Sequence, residues 1–376
     1  MRILHFLKNF IPLTNTFIYQ EVTGLAQNHE VTILTTNRVN NVQFPFENVK
    51  VTNHHRGNVL DRVFRTLQGW DIEWAFRNQA FRSGMLQTIA DVQPDVIHCH
   101  FGWESWLVLL NLEEQAIPIF IHFHGFDASF KLESKRYVST LKRLFARKDV
   151  TPIFCSDTMR KTVEAKTGKL SRYHILYYGT DISRFNRTQN IDNQGFTFLQ
   201  ISSFAEKKGH IYTIHAFAKF LKDNPNENVK LQFAGIGEHF EAMKSLVTSM
   251  KLESYVTFLG AVNQDEAKQL LEQANCFLHH SITAENGDQE GIPNAIMEAM
   301  AMQLPIISTQ HSGIPELVQD GLNGYLVAEK DVNDYASKMK KILSWPLKPE
   351  NRVVVEIKFE RNQHVAQLEK IYKSHF

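Results

Sequence analysis

Short apolar runs alternate with stretches of helical period along the whole chain. Residues 2–7, 30–35, 96–100, 117–122, 152–156 and 174–178 are the runs of the first half. Residues 16–27 carry helical spacing, and a long, mostly helical stretch covers 59–92. The pattern then restarts. Residues 196–201, 229–234, 255–259, 276–279 and 305–308 predict five more strands, separated by helices at 210–222, 238–250, 264–274 and 294–302. Apolar strands that each feed a helix predict parallel pairing with crossover connections. Residues 186–195 are polar, lack apolar period and read as a linker. The chain therefore reads as α/β, with two doubly wound parallel-sheet domains at 1–187 and 195–349. Ligands of such sheets bind at the carboxyl ends of the strands, and a cleft between two domains is the expected active site.

Composition narrows this picture. The 376 residues suit two domains, and 43% hydrophobic residues suit folded ones. A net charge of +1 argues against a nucleic-acid binder. Cys99, Cys155 and Cys276 lie far apart, which offers no zinc or redox motif and fits a reducing cytosol. The N-terminal apolar run is too short for a signal peptide, and no run is long enough to span a membrane. The expected location is cytoplasmic, at most on a membrane surface. Charge is uneven: residues 1–185 hold 22 Lys+Arg against 17 Asp+Glu, the remainder 19 against 23. The segment from Lys131 to Lys148 crowds lysine and arginine around a single acid, Glu133. It reads either as a solvated helix face or as a surface for anionic headgroups or a phosphorylated acceptor. Five arginines between Arg56 and Arg82 mix with Phe64, Trp70, Trp74, Phe76 and Phe81, aromatics that read as core.

The chemistry concentrates between Glu285 and Met300. A polar, Gly-containing loop runs into a helix with Pro293 in its first turn. A helix N-terminus suits phosphate, yet the loop is acidic. Both features fit a ligand that carries phosphates and hydroxyls: amides and cations hold the former, carboxylates accept from the latter. Glu298, about one and a half turns into the helix, could reach a ribose while Glu290 reaches another sugar.

Glu290 and Glu298, with seven residues between them, are followed by Ala-Met and by Ser312-Gly-Ile-Pro-Glu316. This pattern resembles the retaining glycosyltransferases of family 4. So do Ile201 through Gly209, Tyr178 through Phe185, and the turn Gly235-Ile-Gly237-Glu238. His122-Phe-His-Gly-Phe-Asp127 and Thr14 through Glu21 resemble the colanic-acid subgroup that builds bacterial exopolysaccharides. The resemblance implies the GT-B fold, with an N-terminal acceptor domain, a C-terminal donor domain and residues 350–376 crossing back onto the first. It implies ribose binding by Glu298 and sugar binding by Glu290. Backbone amides near Gly291, Ile292 and Asn294 would hold donor groups, with Ser203 and Gly237 alongside. Lys208 would neutralise the leaving diphosphate, and His124 would sit near the reacting centre. Asn15, Thr16 and His100 would face the acceptor. The implied catalysis uses a nucleotide-sugar co-substrate and no metal or other cofactor; a fixed cation stabilises the charge that develops on the leaving group.

One departure matters. Ser203 stands where relatives place an arginine that clamps the diphosphate with Lys208, so Lys208 acts alone, or Lys207 or another cation substitutes. His98 and His100, with Glu104 nearby, have the look of a zinc set, but the resemblance implies metal independence, and they read as structural or acceptor-lining. Gly235-Ile-Gly237 lacks the third glycine of a dinucleotide fingerprint. The leading expectation is a retaining transferase that moves a hexose, UDP-linked in similar enzymes, to a glycan acceptor. A polyprenyl-diphosphate-linked acceptor would suit the basic segment and the inner face of the cytoplasmic membrane. The alternatives are a soluble sugar or metabolite acceptor, or a non-catalytic nucleotide-sugar binder.

Overall fold

The first apolar run does not stop at Lys8. In the computed structural model, which describes residues 1–12, 15–52, 58–188 and 195–376 (side chains of 58–61 excepted), β1 covers Arg2–Phe10. It pairs along its length with β2 (Glu30–Arg38), and that pairing carries both strands past their apolar cores. β3 (Val49–Val51), β4 (Val96–His100), β5 (Ile119–Phe123), β6 (Val150–Phe154) and β7 (His174–Ile175) complete a sheet of order β3-β2-β1-β4-β5-β6-β7. Every pairing is parallel. β4, β5 and β6 are buried at every residue, as in a sheet covered on both faces.

The second sheet holds β8 (Phe196–Ile201), β9 (Val229–Ala234), β10 (Val256–Phe258), β11 (Cys276–His279), β12 (Ile306–Thr309) and β13 (Gly324–Val327). Its order is β10-β9-β8-β11-β12-β13, again all parallel. In both sheets the strand order reverses once, between β1 and β4 and between β8 and β11. In a doubly wound sheet that reversal leaves a crevice at the carboxyl ends of the two strands.

The chain divides into Met1–Gly179 with Arg361–Phe376, and Thr180–Glu360. The exchange thus falls before the polar stretch expected as a linker, of which residues 189–194 lie outside the described set. The C-terminal segment is two helices rather than one. Pro349–Lys358 stays with domain 2, where Asn351 Nδ2 donates to Leu304 O at 2.8 Å and Asn323 O at 3.0 Å. Arg361–Lys373 joins domain 1 and puts Val365, Leu368, Ile371 and Tyr372 into its core beside Ile3, Val22 and Phe120. The long stretch at 59–92 is also divided, into Asn58–Gly69, a turn at Glu73–Phe76, and Gln79–Val92. Asn78 causes the last restart: its side chain accepts from Phe81 N at 3.1 Å and caps the new helix.

Removal of residues 361–376 strips four apolar side chains from domain 1 and none from the core of domain 2. Each is worth about 1.5–3 kcal/mol of burial. Calorimetry of the truncated chain should show loss of the domain 1 transition with that of domain 2 kept; loss of both together would contradict this division.

Candidate functional site

In domain 2, β8 leads straight into the predicted cation segment. Two close backbone approaches shape it. A Cβ on Gly209 (φ +59°) would lie 1.9 Å from His280 O, and one on Gly237 would lie 2.7 Å from Phe204 N and O. Glycine at both positions lets the β8 and β9 loops close against their neighbours. The turn at Glu206–Lys208 then aims two lysines at the loop after β11. Lys208 Nζ lies 2.7 Å from Glu290 Oε2. Lys207 Nζ lies 3.2 Å from Glu290 Oε1 and 2.9 Å from Asp288 Oδ2. Burial alone would raise the Glu290 carboxyl, but Lys208 and Lys207 outweigh it and hold it well below the usual carboxylate range. The same ion pairs hold Lys207 charged against its own desolvation. Lys207 thus shares the Glu290 carboxylate with Lys208, while Ser203 is exposed at the loop edge.

The acidic loop is fixed by residues the sequence reading missed. His311 Nδ1 donates to Glu329 Oε1 at 2.6 Å, so its Nε2 accepts from Glu290 N at 3.2 Å. Glu329 Oε2 also accepts from Thr283 N at 2.8 Å. Nothing in local sequence marks this pair, because both partners come from beyond the motif. Gly291 and Ile292 are buried under the loop. Pro293 caps the helix Asn294–Ala301 from outside rather than opening its first turn. Its ψ of 120° is extended, which puts it outside the helix, and its ring holds φ at −67°. Asn294 Oδ1 is buried with no hydrogen-bond partner among the described residues. Glu298 is the fifth helical residue, about 6 Å along the axis. Burial pushes its carboxyl up to about 7, opposed only partly by Arg184.

In domain 1, His124 follows β5. Its N–H donates to Asp127 Oδ1 at 3.0 Å, and Asp127 also accepts from Gly125 N at 3.0 Å and Gly102 N at 2.6 Å. Asp127 therefore ties the loops after β4 and β5 together. It stood in a quoted motif, and an Asp two residues after Gly125 is a turn signal that could have given it this role. The His124 imidazole lies 2.9 Å from Tyr178 Oη through Nδ1 and 3.1 Å from His100 Nδ1 through Nε2. His100 is fully buried, so it offers no surface to an acceptor; strand register turns it inward. Asn15 and Thr16 stand at the start of the helix Thr16–Leu25, half-buried, and Thr14 lies outside the described residues. Glu104 turns from the histidines and accepts from Lys8 N at 3.2 Å.

Against known proteins, the family model for glycosyltransferase family 4 matches residues 14–184, and that for glycosyl transferases group 1 matches residues 181–356. The amylovoran biosynthesis glycosyltransferase AmsK of Erwinia amylovora is 30% identical over 284 residues, 72% of this chain and 68% of its own. The chain belongs to these glycosyltransferases. WcaL of Salmonella typhimurium, named for colanic acid biosynthesis, is 31% identical over 252 residues. That match takes in 65% of this chain but only 60% of WcaL. Among solved structures, Anabaena Alr3699/HepE in complex with UDP and glucose superposes over the full length of both chains with a TM-score of 0.76 at 17% identity. The two Rossmann-like domains are those of the GT-B fold.

The basic segment of this glycosyltransferase is less free than its sequence suggests. Lys131 is buried and paired with Asp71. Arg143 pairs with Glu73 at 2.6 Å and Arg147 with Asp149 at 2.7 Å. Lys135, Arg136, Lys142 and Lys148 remain exposed. Trp70 and Trp74, expected in the core, are 63% and 56% exposed, whereas Phe76 and Phe81 are buried as expected. Arg136 donates to Trp70 O at 3.2 Å, which places basic and aromatic side chains on one surface. No helix among the described residues is long and apolar enough to cross a membrane.

The raised Glu298 carboxyl fixes the sign of a pH effect. A group whose folded value, about 7, exceeds its ordinary 4.5 contributes stability below 4.5 that is lost as pH rises through 7. The loss is at most about 3 kcal/mol. Glu298→Gln should therefore raise the ligand-free melting temperature at pH 8 and leave it nearly unchanged at pH 5. Equal shifts at both pH values in calorimetry would contradict this.

Proposed function

We propose that this glycosyltransferase moves a hexose from a UDP-sugar to a glycan hydroxyl with retention of configuration, in the assembly of a bacterial exopolysaccharide, capsule or lipopolysaccharide. The observation that carries the reading is the cluster of Lys207, Lys208 and Glu290 at the β8–β11 reversal, beside the Asn294–Ala301 helix and Glu298. Domain 2 is the donor domain in this reading. Glu298 accepts from ribose hydroxyls, and Asn294 Oδ1 and the backbone around Gly291 and Ile292 meet other polar groups of the donor. Ser203 and Gly237 border the diphosphate.

In the ligand-free protein Lys208 is engaged by Glu290 at 2.7 Å. An entering diphosphate competes for the lysine, and Glu290 is released toward the sugar hydroxyls. As the bond from the anomeric carbon to the diphosphate breaks, negative charge grows on the leaving oxygen. Lys208, with Lys207 behind it, stabilises that charge most in the transition state. The acceptor hydroxyl attacks from the same face and gives its proton to the departing diphosphate, so no enzyme nucleophile or metal takes part. Domain 1 is the acceptor domain, with Asn15 and Thr16 on the acceptor side and His124 near the reacting centre. The exposed lysines and Arg136 beside Trp70 and Trp74 suit a polyprenyl-diphosphate-linked acceptor. They would hold the enzyme peripherally on the inner face of the cytoplasmic membrane.

Thermal shift with UDP, GDP and ADP, without added metal, tests the donor. At 100 times its dissociation constant a nucleotide adds about 2.7 kcal/mol. UDP alone should raise the melting temperature, and Glu298→Ala should abolish the rise; a shift with GDP or ADP instead would replace the donor assignment. In turnover assays Lys208→Ala should lower kcat by about 100–1,000-fold with a smaller change in KM. An unchanged kcat would remove Lys208 from the chemistry.

A further inference from the structure

The reversal point of the domain 1 sheet gathers four buried donor groups. His5 stands on β1 and is the ladder partner of His98 on β4. His100 follows His98 by two residues and so shares its face. Glu21 arrives from the helix Thr16–Leu25 that covers this face. The three histidines are 0% exposed and Glu21 is 3%. Glu21 Oε1 lies 3.4 Å from His100 Nε2, and 3.9 Å from both His98 Nε2 and His5 Nδ1. His5 Nδ1 lies 3.1 Å from His100 Nε2. A tetrahedral ion with bonds of about 2.0–2.1 Å sets its ligands about 3.3–3.4 Å apart. The four separations bracket that spacing, and one donor atom from each residue falls within 4.8 Å of the rest.

A second observation points the same way. Glu21 Oε1 and His98 Nε2 are buried with no hydrogen-bond partner among the described residues. Their far sides are held. His98 Nδ1 lies 2.6 Å from Tyr372 Oη, and Glu21 Oε2 lies 2.9 Å from His364 Nε2. His100 Nδ1 lies 3.1 Å from His124 Nε2. Three of the four groups thus have an outer partner, which is how proteins orient ligands around an ion; the inner atoms of Glu21 and His98 are unengaged, while His5 Nδ1 and His100 Nε2 face each other.

We propose that domain 1 holds a structural zinc ion on His5, His98, His100 and Glu21. Three imidazole nitrogens and one carboxylate oxygen favour zinc over magnesium or calcium, which take oxygen ligands and water. The ligands are sealed between sheet and helix, so the ion enters as the domain folds and meets no substrate. It pins β1, β4 and the covering helix together. It also selects one tautomer of His100, with Nε2 on the ion and Nδ1–H donating to His124. The proposal stands apart from the nucleotide reading, because it concerns the other sheet and its readout is metal content.

The test is elemental analysis of the full chain, expressed in zinc-supplemented medium and purified by gel filtration. About one zinc per chain is expected, the stoichiometry of a single four-ligand site. Chain refolded with cobalt(II) should show the strong visible bands of a tetrahedral ion, which surface-bound cobalt lacks. Glu21→Gln and His98→Asn should each lose most of the zinc. If either variant fails to fold, the two wild-type measurements still decide. Folded wild-type chain with no stoichiometric zinc and no tetrahedral cobalt bands would overturn the proposal. Zinc fully retained in both variants would overturn the ligand assignment.

Discussion

A parallel sheet that grows outward from its first strand must reverse its order once, and that reversal is the constraint on which both domains depend. At β8 and β11 it opens the crevice that Lys207, Lys208, Glu290 and the Asn294–Ala301 helix border. At β1 and β4 it brings His5, His98 and His100 onto one face under Glu21. Neither group could be assembled from one stretch of chain. Each needs loops that leave adjacent strands at the same edge, which parallel pairing supplies.

Charge balance decides what the domain 2 crevice can bind. Lys207 and Lys208 face Asp288 and Glu290, so the formal charges of the ligand-free cluster balance. Such a cluster is paired while it waits, which spares the fold two half-buried lysines without counterions. It is also exchangeable, because a diphosphate can take the lysines while Glu290 turns to hydroxyls. Glu298 is a different case. Among the described residues it has no ion pair and Arg184 offsets its burial only in part, so its carboxyl is raised to about 7 and the fold carries the cost. A destabilising carboxylate at the edge of a binding crevice is what a site prepared for ligand hydroxyls looks like, since function there opposes stability.

Much of this was legible in the sequence, for identifiable reasons. β8, β9 and β11 match the predicted runs residue for residue, because β11 is buried throughout and β8 and β9 alternate apolar with polar residues over most of their length. The spacing of Glu290, Glu298 and Lys208 was legible because those residues sit on loops and a helix start with local signatures. What was not legible depends on distant partners. β13 is short and opens on Gly324, and only its pairing with β12 makes it a strand. The His311–Glu329 support of the acidic loop joins two segments with no pattern of their own. The inward turn of His100 follows from ladder register, and the exposure of Trp70 and Trp74 from how the helical stretch at 59–92 breaks into three. The C-terminal segment divides at the break between its two helices, where Phe359 O accepts from Thr180 N at 2.7 Å, a pairing that no periodicity announces.

The central claim is that the lysine pair at the β8–β11 reversal receives the diphosphate of a nucleotide in exchange for Glu290. A crystal structure of the chain with UDP tests it most directly. The account predicts diphosphate oxygens within salt-bridge distance of Lys208 Nζ, ribose hydroxyls on Glu298, and the Lys208–Glu290 contact broken or lengthened. UDP bound elsewhere, with the 2.7 Å contact between Lys208 and Glu290 intact, would contradict it.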